Sequence, residues 1–287
     1  MASKIKRFLI FPLAALVILG LTFVPGCGGG EGTLPGDEVE LSGTIKEAGS
    51  TSVLPLAEEF AIKFMNLHPK VRVETGGGGS GAGVKQCAAG TVNIGAASRE
   101  LKITESDLIS YPIARDAVAI IVNSANPISQ LKIEEAAKIF AGELANWKEL
   151  NGEDKEITIY AREEGSGTRD CFEEKVMKDR DISDDAILKN SNGEIQGAVA
   201  TDVAGIGFVS LGYVSGVKAL SLWVEKEGNY VECTLENCQK GSYPIIRRLY
   251  FLTRESPSDL EKAFIDFCRS PERQQFISEK GYVPLVL

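Results

Sequence analysis

Two loops rich in glycine and hydroxyl residues, each set between a strand-like run and a helical pattern, constrain this chain more than any other feature. The first is Gly76-Gly77-Gly78-Gly79-Ser80-Gly81-Ala82-Gly83-Val84-Lys85, fed by the alternating stretch Val71-Arg72-Val73-Glu74. The second is Arg162-Glu163-Glu164-Gly165-Ser166-Gly167-Thr168-Arg169, fed by Ile157 to Tyr160. Glycine lets the backbone turn its N–H groups toward one point, and the start of the following helix adds partial positive charge there. Seryl and threonyl hydroxyls add donors, and an arginine can grip an oxyanion with two parallel hydrogen bonds. Two such loops in one chain predict two halves closing on one tetrahedral anion.

The pattern around the loops is that of an α/β fold. Gly43 to Ala48 reads as a short strand that turns at Gly49-Ser50-Thr51-Ser52 into an amphipathic helix. Leu56, Phe60, Phe64 and Leu67 recur at three- or four-residue spacing and mark its buried face. Gly83 to Ala89 predicts a helix and Val92 to Ala96 a strand; strand–helix–strand units of this length imply a parallel sheet with helical crossovers. Further on come the apolar strand Ala117 to Val122, a helix over Ile133 to Phe140, and a helix over Thr168 to Met177 with Thr168 near its N-cap. The strand Arg248 to Thr253 and helices over Ser258 to Cys268 and Glu272 to Ser278 close the chain. This order predicts a first lobe of residues 41–116 plus 244–287. A second lobe, 117–243, is inserted into it, with two strands crossing between as a hinge.

The N-terminus predicts export. Lys4, Lys6 and Arg7 precede an uncharged apolar run from Phe8 to Val24, which ends in the small-residue site Val24-Pro25-Gly26-Cys27. Residues 1–26 read as a signal peptide, with Cys27 in the first mature position, where bacterial lipoproteins carry their lipid. The alternative is an uncleaved membrane anchor. Either way the domain lies outside the cytoplasm, tied to a membrane through the polar, glycine-rich tether 27–40. The stated net charge is −9, and losing the three cations of the signal brings it to −12. So acidic an exported chain is a poor partner for nucleic acid, and any anion must be recognised by local donors.

Cysteine use excludes a metal centre. Cys233 and Cys238 have a spacing that can bridge a short loop in an oxidising compartment, whereas Cys87, Cys171 and Cys268 fall on helical patterns as small buried residues. The sole histidine, His68, ends a helix, so neither a zinc cluster nor another cofactor site is expected. Nor is there a Gly-Lys-Ser/Thr phosphate loop or a Gly-x-Ser-x-Gly nucleophile turn. A phosphate-ester hydrolase would lack both nucleophile and base, and the chain reads as a binding protein, not an enzyme.

Six segments in order resemble one family. They are Ala48-Gly49-Ser50-Thr51-Ser52, the Gly76–Lys85 loop, Ile94-Gly95-Ala96-Ala97-Ser98-Arg99, Ile139-Phe140-Ala141-Gly142 with Asn146-Trp147, the Arg162–Thr168 loop, and Gly205-Ile206-Gly207-Phe208-Val209-Ser210. Together they are similar to the phosphate-binding proteins of bacterial phosphate-specific ABC transporters (PstS type), over about Gly43 to Leu287. The resemblance implies a type II periplasmic-binding-protein fold with two lobes, two hinge strands and a ligand cleft between the lobes. It implies inorganic phosphate as ligand, and membrane permease subunits with a cytoplasmic ATPase as partners. Carried over residue by residue, Thr51, Ser52, Ser80 and Ser98 would bind phosphate from the first lobe, and Arg162, Ser166, Gly167 and Thr168 from the second. Glu164 would support Arg162. Many relatives carry an aspartate where Ser98 stands, to accept the proton that phosphate has and sulfate lacks. Serine both accepts and donates, so sulfate, molybdate and tungstate remain alternatives here, unless Glu100 or another acid takes the role. A phosphate sensor using the same cleft is a further alternative.

Overall fold

The computed structural model describes residues 40–285. The expected signal peptide, the lipidation site Cys27 and the tether up to residue 39 lie outside the described residues. In chain order the elements begin with β1 (Gly43–Gly49), α1 (Leu54–Leu67), β2 (Val71–Gly76), α2 (Ser80–Ala88), β3 (Ile94–Ala97) and the long β4 (Ile109–Val122). Then follow β5 (Gln130–Leu131), α3 (Ile133–Phe140), β6 (Thr158–Arg162), α4 (Gly167–Phe172), β7 (Ile187–Lys189), α5 (Asn192–Thr201) and β8 (Gly205–Ser210). The last part holds β9 (Lys218–Ala219), β10 (Ser221–Val224), β11 (Asn229–Val231), α6 (Leu235–Lys240), β12 (Ile246–Thr253), α7 (Asp259–Arg269) and α8 (Pro271–Glu279).

The main sheet has the order β2-β1-β3-β12-β4-β8-β6-β7, with β9 added against β4. β1 is parallel to β2 and β3, and β6 is parallel to β7 and β8, as helical crossovers require. Between these parallel halves run β4 and β12, antiparallel to each other. β4 pairs with β12 up to Ala117 and with β8 from Val118 onward. One strand thus serves both halves of the sheet.

Two large apolar clusters flank this crossing. One joins α1, α7 and α8 to the sheet through Phe60, Phe64, Phe264 and Ile277, and includes Ile113, Ala114, Leu249 and Phe251. The other collects Ala117–Val122, α3 and the stacked Phe172–Phe208 pair (ring centroids 4.1 Å apart), and reaches Tyr243 and Ile245. β4 therefore leaves one core near Ala114 and enters the other at Ala117, and β12 makes the return crossing.

Several local expectations shift. Leu67 is 60% exposed, because it is the last residue of α1 and lies past the strip that the sheet covers. α2 begins at Ser80 instead of Gly83. Ser166, not Thr168, caps α4, its Oγ accepting from the Arg169 N–H at 3.3 Å, and the helix runs on through a π turn to Met177. Cys87, Cys171 and Cys268 are buried in α2, α4 and α7. The disulfide suggested for Cys233 and Cys238 is not formed: both are free, buried thiols. A hydrogen bond between the two, and then burial, push the Cys233 thiol up, which keeps the oxidisable thiolate scarce.

Candidate functional site

The candidate residues gather outside the carboxyl ends of parallel strands, where open α/β sheets place ligands. Thr51 and Ser52 follow β1, Ser80 opens α2 after β2, Ser98 follows β3, Arg162 ends β6, and Ser166–Thr168 open α4. Glycine makes the first of these turns feasible. Gly49 has φ +147°, and a Cβ there would lie 2.2 Å from the Ala96 carbonyl oxygen. Any side chain at Gly49 would therefore drive β1 and β3 apart and displace Thr51 from Ser98.

All the candidate hydroxyl residues are buried, and Ser52 and Thr168 touch across the two halves. Ser52 Oγ lies 3.0 Å from Thr168 Oγ1, and Ser80 Oγ lies 3.2 Å from Ser98 Oγ. Ser80 Oγ also accepts from the Ser98 N–H at 3.0 Å. The two glycine loops meet directly, the Gly81 N–H donating to the Gly165 carbonyl at 2.8 Å. Gly167 fits so closely that a Cβ on it would be 2.5 Å from Ser80 Oγ and 2.7 Å from Ser98 Oγ.

Arg162 is 1% exposed and almost fully committed. Nε and Nη2 hold the two Glu163 oxygens at 3.0 and 2.9 Å, and the same nitrogens donate to the carbonyls of Lys189 and Asn190. Nη1 is left facing the hydroxyls, 3.4 Å from Thr51 Oγ1. This corrects the assignment of Glu164 as the acid supporting Arg162. Glu164 sits on the exposed crest of the turn after β6, while Glu163, one residue nearer the strand end, folds back onto the guanidinium.

Three further residues complete the cluster. Asn192, the first residue of α5, donates through Nδ2 to Thr51 Oγ1 at 3.0 Å and Ser52 Oγ at 2.9 Å. Arg247 on β12 donates through Nη2 to Ser52 Oγ at 2.8 Å and through Nη1 to Ser98 Oγ at 3.3 Å. Asp116 on β4, fully buried, holds Arg247 through Oδ2 at 2.6 and 3.0 Å and accepts from Ser210 Oγ through Oδ1 at 2.9 Å. No local signal marked Arg247 or Asp116: each lies on a strand among core residues, with neighbours of both alternations buried, such as Ala117 and Val118 on β4 and Leu249 and Tyr250 on β12.

Tyrosines fix the backbone behind the hydroxyls, with Tyr213 Oη donating to the Thr51 carbonyl and Tyr282 Oη to the Ser52 carbonyl, both at 2.9 Å. Burial pushes the Tyr213 phenol up to about 12, so it stays a neutral donor. Arg99 stays out of the cluster. It pairs with Glu105 at 2.7 and 2.8 Å, and its Nε lies 2.8 Å from Asp170 Oδ2, though off the line of a hydrogen bond. Glu100 turns away to Tyr250 Oη and does not stand in for the missing aspartate. Among the described residues no group of His, Cys, Asp and Glu is placed to hold a metal.

The charge balance of the cluster is informative. Each guanidinium is matched by one carboxylate, Arg162 by Glu163 and Arg247 by Asp116, so the scaffold is neutral before an anion arrives. Burying the ions in pairs limits the desolvation cost, and what remains pointed inward is a ring of hydroxyls and N–H groups around Gly167. Such a ring suits an oxyanion and offers no nucleophile–base pair.

Comparison with known proteins agrees with this geometry. A family model described as a PBP superfamily domain matches residues 38–272. The phosphate-binding protein PstS of Staphylococcus haemolyticus is 30% identical over 291 residues, spanning 94% of this chain and 91% of its own. That of Bacillus subtilis is 29% identical over 253 residues, 86% of this chain and 83% of its own. Among solved structures, a Clostridium perfringens protein described as a phosphate ABC transporter substrate-binding protein with bound phosphate superposes with TM-score 0.80. It is 34% identical, over 85% of this chain and 100% of its own. An ABC-type phosphate transport receptor from Vibrio cholerae is 32% identical with TM-score 0.67, over 84% of this chain and 100% of its own. With the matched model covering most of the chain and these relatives spanning nearly their whole length, the chain belongs to the PBP superfamily and, within it, to the PstS family of phosphate-binding proteins.

Proposed function

We propose that this protein captures inorganic phosphate outside the cytoplasm and hands it to an ABC importer. The observation that carries the reading is the buried convergence of Thr51, Ser52, Ser80 and Ser98 with Arg162, Gly167 and Thr168. It occurs in a chain whose relatives are named for phosphate binding. In this reading the anion bridges the lobe 41–116 plus 244–287 and the lobe 117–243, and it favours the closed arrangement by binding that arrangement better. Arg162 would donate through Nη1, which also reaches Thr51 Oγ1. Thr51, Ser52, Ser80 and Ser98 would offer their hydroxyls, and Gly167 and Thr168 the opposite side. Ser166 caps α4 with its oxygen, accepting from the Arg169 N–H, and would turn its proton toward the ligand.

The closed protein would dock on permease subunits driven by a cytoplasmic ATPase, held near them by lipid on Cys27. The relatives are named as binding and receptor proteins, which supports a binding role over an enzymatic one.

The test is calorimetry on the purified, anion-free protein with phosphate, sulfate, arsenate, molybdate and tungstate. Phosphate should bind with micromolar or tighter affinity, and Arg162→Ala should abolish it. Binding of molybdate or tungstate with no response to phosphate would overturn the assignment.

A further inference from the structure

The loop that follows β3 lies along α4 and meets it twice. A Cβ on Gly167 would come within 2.7 Å of Ser98 Oγ. About one helical turn further on, Asp170 meets Arg99, the residue after Ser98, with Oδ2 2.8 Å from Nε. Residues three apart share a helix face, so Gly167 and Asp170 present one side of α4 to this loop. In the lobes proposed above, Ser98 and Arg99 belong to the first and α4 to the second.

Arg99 is held ready by its own loop. Nη1 and Nη2 donate to the two oxygens of Glu105 at 2.7 and 2.8 Å, and Nη1 also donates to the Glu100 carbonyl at 2.8 Å. Glu105 is fixed in turn by the Lys102 N–H at 2.8 Å. None of these bonds needs α4, and Nε is the part of the fork they leave over. Arg99 Nε and Asp170 Oδ2 are both buried, and among the described residues neither has a hydrogen-bond partner. Each is therefore shielded from water chiefly against the opposite charge of the other.

We propose that Arg99 and Asp170 are positioning residues that form an ion-pair latch across the cleft, holding the closed arrangement and slowing release of the anion without touching it. The inference rests on the phosphate reading above and deepens it. A contact made only in the closed arrangement shifts the equilibrium toward that arrangement by its own free energy. Arg99 enters the contact already paired with Glu105, and the Asp170 side chain stays 26% exposed, so little of the usual desolvation cost falls on closure. The latch also has an opposing effect. Arg99 with Glu105 and Asp170 carries one net negative charge, which slows the approach of an anion. Neutralising Asp170 should therefore speed release and leave association as fast or faster.

The experiment chases radiolabelled phosphate from the protein with excess unlabelled phosphate to obtain the release rate, and takes the association rate from that value and the calorimetric Kd. It compares the wild type, Asp170→Asn, Arg99→Gln and the double variant. Asp170→Asn keeps the size of the side chain and leaves Arg99 on Glu105, so thermal unfolding of the anion-free protein should stay close to the wild type. Its release rate should rise roughly tenfold, between the effect of an exposed pair and that of a buried one, with association unchanged or faster. In the Arg99→Gln background the same substitution should leave release unchanged or slower, because the partner of the latch is gone. An unaltered release rate in Asp170→Asn, a loss carried by slower association, or an equal rise in the Arg99→Gln background would each overturn the proposal. A wild type with no response to phosphate would remove the phosphate reading alone. The same rates, measured with whichever of sulfate, arsenate, molybdate or tungstate it does bind, would still decide the latch, and a protein that binds none of them would remove both.

Discussion

Gly167 offers the sharpest handle on how the site closes. Its position on the first turn of α4 tolerates a side chain locally, since its φ is not in the left-handed region, yet alanine there meets atoms brought from the other half of the sheet. The new Cβ would lie 2.5 Å from Ser80 Oγ, 2.7 Å from Ser98 Oγ and 3.1 Å from the Ser98 carbonyl carbon. Ordinary contact begins near 3.4 Å, so α4 must stand off by about 0.9 Å. Overpacking of this size costs about 1–3 kcal/mol, and at 1.4 kcal/mol per decade that is roughly a 5- to 150-fold loss of affinity. The anion-free fold should not suffer, because alanine is a better helix former than glycine by up to about 1 kcal/mol. The assay pairs phosphate calorimetry with thermal unfolding of the anion-free protein. The expected result is weaker binding with an unchanged or higher unfolding temperature. Unchanged affinity would show that Gly167 is not pressed between Ser80 and Ser98 in the bound state.

Other outcomes follow from buried charge. Glu47 on β1 is 2% exposed, its two oxygens lack side-chain partners, and burial pushes its carboxyl from 4.5 up to about 8. The native state thus holds a proton that the unfolded chain releases, so stability should fall as pH rises from about 4.5 to 8. That shift corresponds to at most on the order of 5 kcal/mol, and Glu47→Gln should flatten the slope in urea titrations run across that window. An unaltered slope in Glu47→Gln would place the titration elsewhere. Glu163→Gln should loosen Arg162 and weaken phosphate binding severalfold or more, while Glu164→Gln should leave calorimetric affinity unchanged; the reverse order would restore Glu164 as the supporting acid. Tyr213→Phe removes the donor to the Thr51 carbonyl and should cost about 1 kcal/mol of stability by thermal unfolding.

What could be read in the chain was what is local. Glycine is needed at Gly49 because of the backbone there, and alternation or helical spacing marked β1, β2, α3 and β12 because burial repeats along each element. The hydroxyls Thr51, Ser80 and Thr168 were legible for the same reason, since each lies beside the glycine turn that presents it. The acid that holds Arg162 was misplaced by one residue, because a turn two residues long decides which carboxylate folds back and which faces water. Arg247 and Asp116 were beyond local reading. They are 131 residues apart, and only the β4–β12 pairing sets one against the other. Asn192 likewise meets Thr51 from 141 positions away. The sequence by itself determined an α/β chain with donor-rich turns and an arginine suited to an oxyanion. The tertiary structure decided which acid neutralises which arginine, and which amide and guanidinium groups reach the hydroxyls. Hydrogen bonds act over about 3 Å, and only strand crossing brings distant residues that close.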